Sequence, residues 1–420
     1  MGTKNGVVLE KAVRPRFFYG YVIALAAFSI LAVTYGSQLT FGVFFKPLAE
    51  EFGWTRAATS AAYSLNLTVH GILGIIMGRL TDRFGPRMTV MLFGSFLGIG
   101  YLLLSQTNAL WQFYLLFGAV LAIGLSTGMV PPMATVTRWF VKRRGLVNGI
   151  ASSGVNFGQV IMSLLAGWLI LSYGWRKSYF IAGLGLLVAI LFFGFLLKRD
   201  PADIGEKPYG AESASGDPAP LASTQPVDFS LSRAARMPSF WLLWVTYFCF
   251  GFSRSLLTVH TAPLITDMGF PLTFAAGILA FMGGLAIVGR LALGTLADRL
   301  GGRATMRLGF VLMAVSTLWL TVAREVWALY LFAAVFGFSW GGLACVRVPL
   351  AAEVFGVGSL GAILGVTEFG TALGGAAGPL VGGWLFDIYS SYQTSLLVSA
   401  GISILAVLLM SLLMKRRGGG

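Results

Sequence analysis

Four charged side chains stand inside long apolar runs: Arg254, Arg290, Arg347 and Glu368. Holding an arginine in lipid costs roughly 2.5–3.5 kcal/mol, so one that stays there faces a cavity or a partner. The guanidinium of Arg290 is a planar fork that fits a carboxylate with two hydrogen bonds. Two uses are open to it, binding an anion or closing a structural ion pair. Glu368 stands at a depth similar to Arg290. An unpartnered buried carboxyl takes up a proton, whereas one paired with Arg290 or Arg347 stays ionised. An anion that displaced Glu368 from an arginine would couple proton and anion; the alternative is a static pair. Arg254, toward the outer end of its run, either lines an access path or snorkels to the interface. Arg347, near the other end of its own run, reads as a gate or anchor. With Glu368 and Arg254 it completes the residues from which proton coupling could be built. His70 and His260 are each an interhelical hydrogen-bond partner or a proton relay. Tyr35, Asn66, Asn156 and Trp340 are candidates for shaping a cavity, and His260 joins them as a substrate-binding candidate. Neither histidine has the spaced companions a metal needs. No P-loop, dinucleotide fingerprint or nucleophile elbow appears, so ATP-driven transport, enzyme chemistry and a bound cofactor are not expected.

These residues need a scaffold that holds charge in oil. The 420 residues are 56% hydrophobic and only 11% charged, against roughly 25% charged in soluble domains. That excludes a soluble enzyme, a disordered scaffold and a disulfide-built secreted domain. Cys249 and Cys345 lie in apolar runs and read as small core residues. A net charge of +14 would point to nucleic acid in a soluble protein, but here its position matters more than its sum. The polar, basic stretch Met1 to Arg16 precedes an apolar run of spanning length with no cleavage pattern after it, so no cleavable signal peptide is expected.

A span needs about 20 apolar residues. Twelve such runs are present: 18–41, 57–80, 88–105, 111–134, 146–171, 177–198, 239–262, 273–296, 305–322, 327–350, 361–386 and 394–414. They must be helices, because lipid leaves no other way to satisfy an unclosed backbone. Most Lys and Arg fall at the N-terminus, in alternate loops and in the tail; Lys46, Arg56, Arg176, Lys177 and Arg324 fall on the opposite side. Both termini are therefore expected in the cytoplasm. The divisions read as a cytoplasmic N-terminus (1–17), a six-helix bundle (18–198), a linker (199–238), a second bundle (239–414) and a tail (415–420). The linker, with Gly210 to Gly216 and several prolines, reads as a tether disordered in its middle.

The loop after the second span of each half repeats one pattern, G-x-x-x-D-R-x-G-x-R. It is Gly78, Asp82, Arg83, Gly85 and Arg87 in the first half, and Gly294, Asp298, Arg299, Gly301 and Arg303 in the second. A duplicated six-helix unit is the mark of a two-halved carrier. The pattern resembles the loop motif of the major facilitator superfamily, and the resemblance covers essentially the whole chain. It implies an all-α fold of twelve transmembrane helices in two pseudo-symmetric bundles. The glycines permit a tight turn, and the Asp and Arg side chains are expected to latch the cytoplasmic face as a gate.

A second motif runs from Trp139 and Phe140 through Lys142, Arg143 and Arg144 to Gly149, Gly154 and Gly158. It is similar to the signature of the monocarboxylate transporters and the oxalate:formate antiporters, as are Tyr35-Gly36 to Lys46 and His260 to Pro263. Arg290 stands eight residues before Asp298, roughly 12 Å into the membrane. The carboxylate-binding arginine of that branch has the same spacing, which assigns the role to Arg290. Three positions depart: Ala286, Leu39 and Thr367 stand where relatives carry an acid, a lysine and a second lysine. Fewer cations favour a monoanion over a dianion, and the missing acid removes the usual proton route. The resemblance implies a secondary active transporter of a small monocarboxylate such as lactate or pyruvate, by proton symport, working as a monomer in a bacterial inner membrane. Its partners would be a small organic anion, the proton and the lipid bilayer, with no nucleic acid. A carboxylate antiporter, an exporter of hydrophobic compounds and a non-transporting sensor are the rivals.

Overall fold

The computed structural model describes residues 18–142, 144–210, 231–356 and 360–415. Among them, nine helices are long and apolar enough to cross a membrane, or ten when the bent second one is included. Leu146–Leu196 folds back at Gly174 (φ 76°) and so serves as two spans. The glycine-rich Leu360–Tyr389 completes twelve. The first span is Gly20–Leu39 continued by Phe41–Phe52; the second is Arg56–Phe84, the third Pro86–Leu104. The fourth runs from Leu110 to Trp139 through a π-helical stretch, Tyr114–Val120. The fifth and sixth share Arg144–Leu196. In the second half they are Pro238–Asp267, Leu272–Leu300, Gly302–Val322, Val326–Phe355, Leu360–Tyr389 and Gln393–Lys415.

The two halves repeat each other in packing as well as in sequence. In the first, span one packs on five, three on six and two on four; in the second, seven packs on eleven, nine on twelve and eight on ten. The loop motif makes the same turn twice. Gly85 and Gly301 both adopt φ +84°, where a side chain would be strained. Each donates its N–H to the carbonyl four residues back, Thr81 and Ala297, at 2.9 Å.

With no hydrophobic drive between helices in lipid, close packing depends on small residues. A Cβ on Gly158 would lie 2.0 Å from the Ala32 carbonyl oxygen, and one on Gly251 would lie 2.0 Å from that of Thr371. These two sites are related by the repeat, span five on one and span seven on eleven. Gly158→Ala is expected to force two backbones apart, at a cost of about 1–3 kcal/mol. Purified variant should unfold several degrees below wild type by tryptophan fluorescence; an unchanged midpoint would refute the close approach.

The linker is more ordered at its start than a tether requires. Tyr209 donates its N–H to the Trp139 carbonyl (2.9 Å) and accepts from the N–H groups of Val141 and Lys142 (3.1 and 3.0 Å). Trp139 Nε1 donates to the Lys198 carbonyl at 3.1 Å. The first linker residues are thus tied to the first bundle. The linker's middle (211–230), the basic N-terminus with Lys4, Lys11, Arg14 and Arg16, Arg143, and tail residues Arg416 and Arg417 lie outside the described residues. One core assignment needs correcting. Cys249 is buried, but Cys345 is exposed: on span eight it faces Gly294, which has no side chain to cover it.

Candidate functional site

The four charges inside the spans come from the seventh, eighth, tenth and eleventh helices. Arg347 Nη1 meets Glu368 Oε2 at 2.7 Å and Thr371 Oγ1 at 3.0 Å. Its carbonyl accepts from the Tyr247 hydroxyl, and its guanidinium stands 4.9 Å from the centre of the Phe250 ring. Arg347 is therefore not a free anchor at the helix end but one member of an interior ion pair. The pair is open on one side: the Glu368 side chain is 43% exposed and that of Arg347 15%.

The other two arginines have no acid among the described residues. Arg290 Nη1 reaches across to the first half, to the Ser152 carbonyl (3.3 Å) and hydroxyl (3.4 Å). Its Nε has no hydrogen-bond partner. Arg254 faces the Trp340 ring with Cζ 5.9 Å from its centre, and its Nε is also without a partner. Tyr35, Tyr63, Arg347 and Glu368 lie within its electrostatic reach. Arg254 lies against Trp340 of span ten, and the seventh helix continues beyond it to Asp267. Arg254 then stands roughly 20 Å from that end and roughly 24 Å from Pro238, beyond the reach of its side chain in either direction.

The remaining candidates divide. Tyr35 is partly buried, with its ring 5.9 Å from that of His70. Trp340 is 2% exposed and underlies Arg254. Asn156, also buried, lies against Gly283 of span eight and has its Oδ1 unpartnered. Asn66 does not line a cavity. It is fully buried, donates to the Phe117 carbonyl (2.7 Å) and accepts from Gln38 (3.0 Å), so its amide is spent on joining spans one, two and four.

His260 belongs to neither group. Its Nε2 lies 2.8 Å from the Pro379 carbonyl and 3.3 Å from Ser60 Oγ, and its Nδ1 lies 3.1 Å from the Tyr392 hydroxyl. It is part of a seal between the halves at the end away from the linker. Asp267 at the end of span seven takes Lys46 at 2.9 Å and Arg56 at 2.6 Å, both from the first half. Asp387 accepts the N–H groups of Arg56 (2.9 Å) and Ala57 (2.8 Å), where a carboxylate favours a helix N-terminus. Arg56 also donates to the Tyr392 hydroxyl and lies 3.7 Å over the Phe386 ring. Burial pushes the Tyr392 phenol above its ordinary value, against the pull of Arg56, so it stays neutral. Sequence reasoning counted Lys46 and Arg56 only as outer charges. Their complement was visible: acids ending spans seven and eleven oppose bases flanking the start of span two.

Contacts between the halves concentrate toward this far end. Gly71 lies against Ala372, Leu67 against Gly375 and Gly42 against the Thr258 carbonyl. Spans two, five, eight and eleven carry exposed apolar groups at both ends, Ile72, Ile150, Leu291 and Phe369 toward the linker and Leu65, Trp168, Phe281 and Trp384 away from it. The loop-motif residues at the linker end pair within their own halves. Asp82 takes Arg138 at 3.4 Å, and Arg138 also meets Asp200 of the linker at 3.5 Å. Arg87 lies over the Phe195 ring and Arg83 over that of Phe84. Arg303 meets Glu353 at 3.4 Å and donates to the Leu413 carbonyl. Arg299 is exposed, Gly78 faces Val130 and Gly294 faces Cys345. The Asp298 side chain lies outside the described residues.

A family model of the Major Facilitator Superfamily matches residues 22–307 and 287–419. Monocarboxylate transporter 13 of Bos taurus is 27% identical over 398 residues, spanning 92% of this chain and 87% of its own length. The oxalate:formate antiporter of Oxalobacter formigenes is 26% identical over 424 residues, spanning 96% and 92%. Among solved structures, a bacterial homologue of the human lysosomal transporter Spinster, inward-facing and unoccupied, matches with a TM-score of 0.74 at 16% identity. It covers 94% of this chain and 96% of that one, a likeness of fold.

Proposed function

The chain belongs to the Major Facilitator Superfamily, and from that premise we propose that it is a secondary active transporter of a small organic monocarboxylate, coupled to protons. The observation that carries this reading is the charge of the interior: three arginines, one carboxylate, and that carboxylate taken by Arg347. A cation without a counter-ion in a low-dielectric interior is expensive, and a substrate carboxylate supplies the missing charge. Arg290 would hold it, since its guanidinium already bridges toward span five across the line where the halves meet. The distribution of Lys and Arg puts the linker end in the cytoplasm. On that orientation the seal of Arg56, Asp267, Asp387 and Tyr392 closes the outer side. Alternating access would then exchange the far seal for one built from the loop motifs. The chain would act alone, in an inner membrane.

Glu368 is the proposed proton carrier. Its pairing with Arg347 leaves one side exposed, which gives protons a route. Substrate that drew Arg347 away would leave a carboxyl that binds a proton. In proteoliposomes, Glu368→Gln is expected to lose the dependence of lactate or pyruvate uptake on an inward proton gradient. Full retention of that dependence would remove the assignment. One observation favours exchange instead. Arg290 has no acid beside it among the described residues, which disfavours closing and returning without an anion. Uptake driven by preloaded carboxylate, and indifferent to the proton gradient, would establish antiport.

A further inference from the structure

We propose that Asn156, Gln159 and Ser163 of span five form a counterweight to the far seal: they raise the energy of the state closed at the far end, so that the two halves can leave it. The inference goes beyond the carboxylate reading. It rests on the halves alternating and not on what they carry. The three residues recur at i, i+3 and i+7 of one helix, which puts them on one face. Each is at most 1% exposed. Each keeps one polar atom without a hydrogen-bond partner among the described residues: Asn156 Oδ1, Gln159 Oε1 and Ser163 Oγ. This face meets the other half. Gln159 Nε2 donates to the Leu279 carbonyl at 3.3 Å. A Cβ on Gly283 would lie 3.1 Å from Gln159 Oε1 and 3.2 Å from the Asn156 carbonyl oxygen. One turn beyond Ser163, a Cβ on Gly167 would lie 2.7 Å from that of Ala276. At these points span eight offers the stripe two small residues and a carbonyl that already has its place in the helix ladder.

Closing this seam therefore takes three polar groups out of water and returns little. A buried donor or acceptor left unmade costs its desolvation, whereas an apolar group of the same shape in its place is nearly neutral or stabilising. Spans five and eight belong to opposite halves. The cost falls on the state in which the seam is shut, and it is relieved when the halves part and water reaches the stripe. The seam between spans two and eleven is built differently. There Ser64 donates to the Ala376 carbonyl, and Asp387 accepts the N–H groups of Arg56 and Ala57. One seam thus carries bonds that hold the far end shut, and the other carries unmade bonds that oppose them. Turnover needs both states populated, so a seal with this many ion pairs requires an opposing contribution.

The test uses the full-length protein with Cys249 and Cys345 replaced by serine and Leu67→Cys added, since Leu67 lies against Gly375 across the seam of spans two and eleven. Gln159→Met and Ser163→Ala replace two of the groups by apolar ones of similar shape; Asn156, a candidate for shaping the cavity, is left alone. No substrate is added. The double variant should unfold no lower than its parent by tryptophan fluorescence. Its Leu67→Cys should react about tenfold more slowly with a membrane-impermeant maleimide. Adding Arg56→Ala, which weakens the seal, should bring the rate back toward that of the parent. Should the double variant fail to give a monodisperse size-exclusion profile, Ser163→Ala alone deletes one unpartnered hydroxyl and should slow labelling about threefold. A lowered midpoint in a folded variant, or a labelling rate unchanged or raised, would overturn the counterweight. If Arg56→Ala speeds labelling while the stripe variants do not slow it, the alternation of the halves stands and the stripe alone is refuted. If neither changes the rate, both ideas fall.

Discussion

Carboxylate uptake by Arg290→Ala should fall by about 25-fold or more while the protein remains folded. Truncating one partner of a desolvated charge pair costs about 2–5 kcal/mol, and each 1.4 kcal/mol is about tenfold in affinity. Arg290 differs from most buried arginines in what its loss leaves behind. No acid among the described residues depends on it; its contacts are the Ser152 carbonyl and hydroxyl, both longer than 3.2 Å. Removing it therefore orphans no buried carboxylate and relieves an uncompensated cation. The ligand-free variant should unfold at or above the wild-type temperature, and the stabilisation that ligand gives the wild type should vanish. Arg290→Lys keeps the charge but not the two-pronged geometry, so it should recover only part of the uptake. Normal carboxylate transport by Arg290→Ala would end the assignment of this residue. A structural role would give the opposite pair of results, a destabilised protein with residual transport.

The scaffold was legible because lipid permits few solutions. Runs of about 20 apolar residues have to be helices, and the repeated G-x-x-x-D-R-x-G-x-R pattern marks matching turns at Gly85 and Gly301. Depth along a helix was legible too, which is why Arg290 could be set near the middle. Pairing was not, because it depends on which face of each helix meets which neighbour. Hydropathy ended the seventh span at residue 262, whereas the helix runs to Asp267. Those few residues move Arg254 from an outer position to the centre and bring Asp267 to Lys46 and Arg56. Asn66 shows the complementary failure. A polar side chain in an apolar run looks like a cavity residue until its partners, Gln38 and the Phe117 carbonyl, are seen to occupy its amide.

The far seal gives the second large effect, through Arg56. This one side chain of the first half meets Asp267, Tyr392 and Phe386 of the second, and its backbone N–H meets Asp387. Its side chain is only 16% exposed and that of Asp267 29%, so solvent screens the pair less than a surface bridge. Losing a hydrogen bond to a charged group costs about 1.5–3 kcal/mol. The loss in Arg56→Ala falls on the closed state alone, because these partners separate when the far end opens. The equilibrium should therefore move at least tenfold toward opening there. Leu67 lies beneath the seal, against Gly375, and a cysteine at that position reports access. With Cys249 and Cys345 replaced by serine, Leu67→Cys should react at least tenfold faster with a membrane-impermeant maleimide once Arg56→Ala is added. Arg56→Lys, which keeps the bridge to Asp267 but not the reach to Tyr392, should fall between. Equal labelling rates with and without Arg56→Ala would show that the apolar contacts of Gly42, Leu67 and Gly71 close this end by themselves.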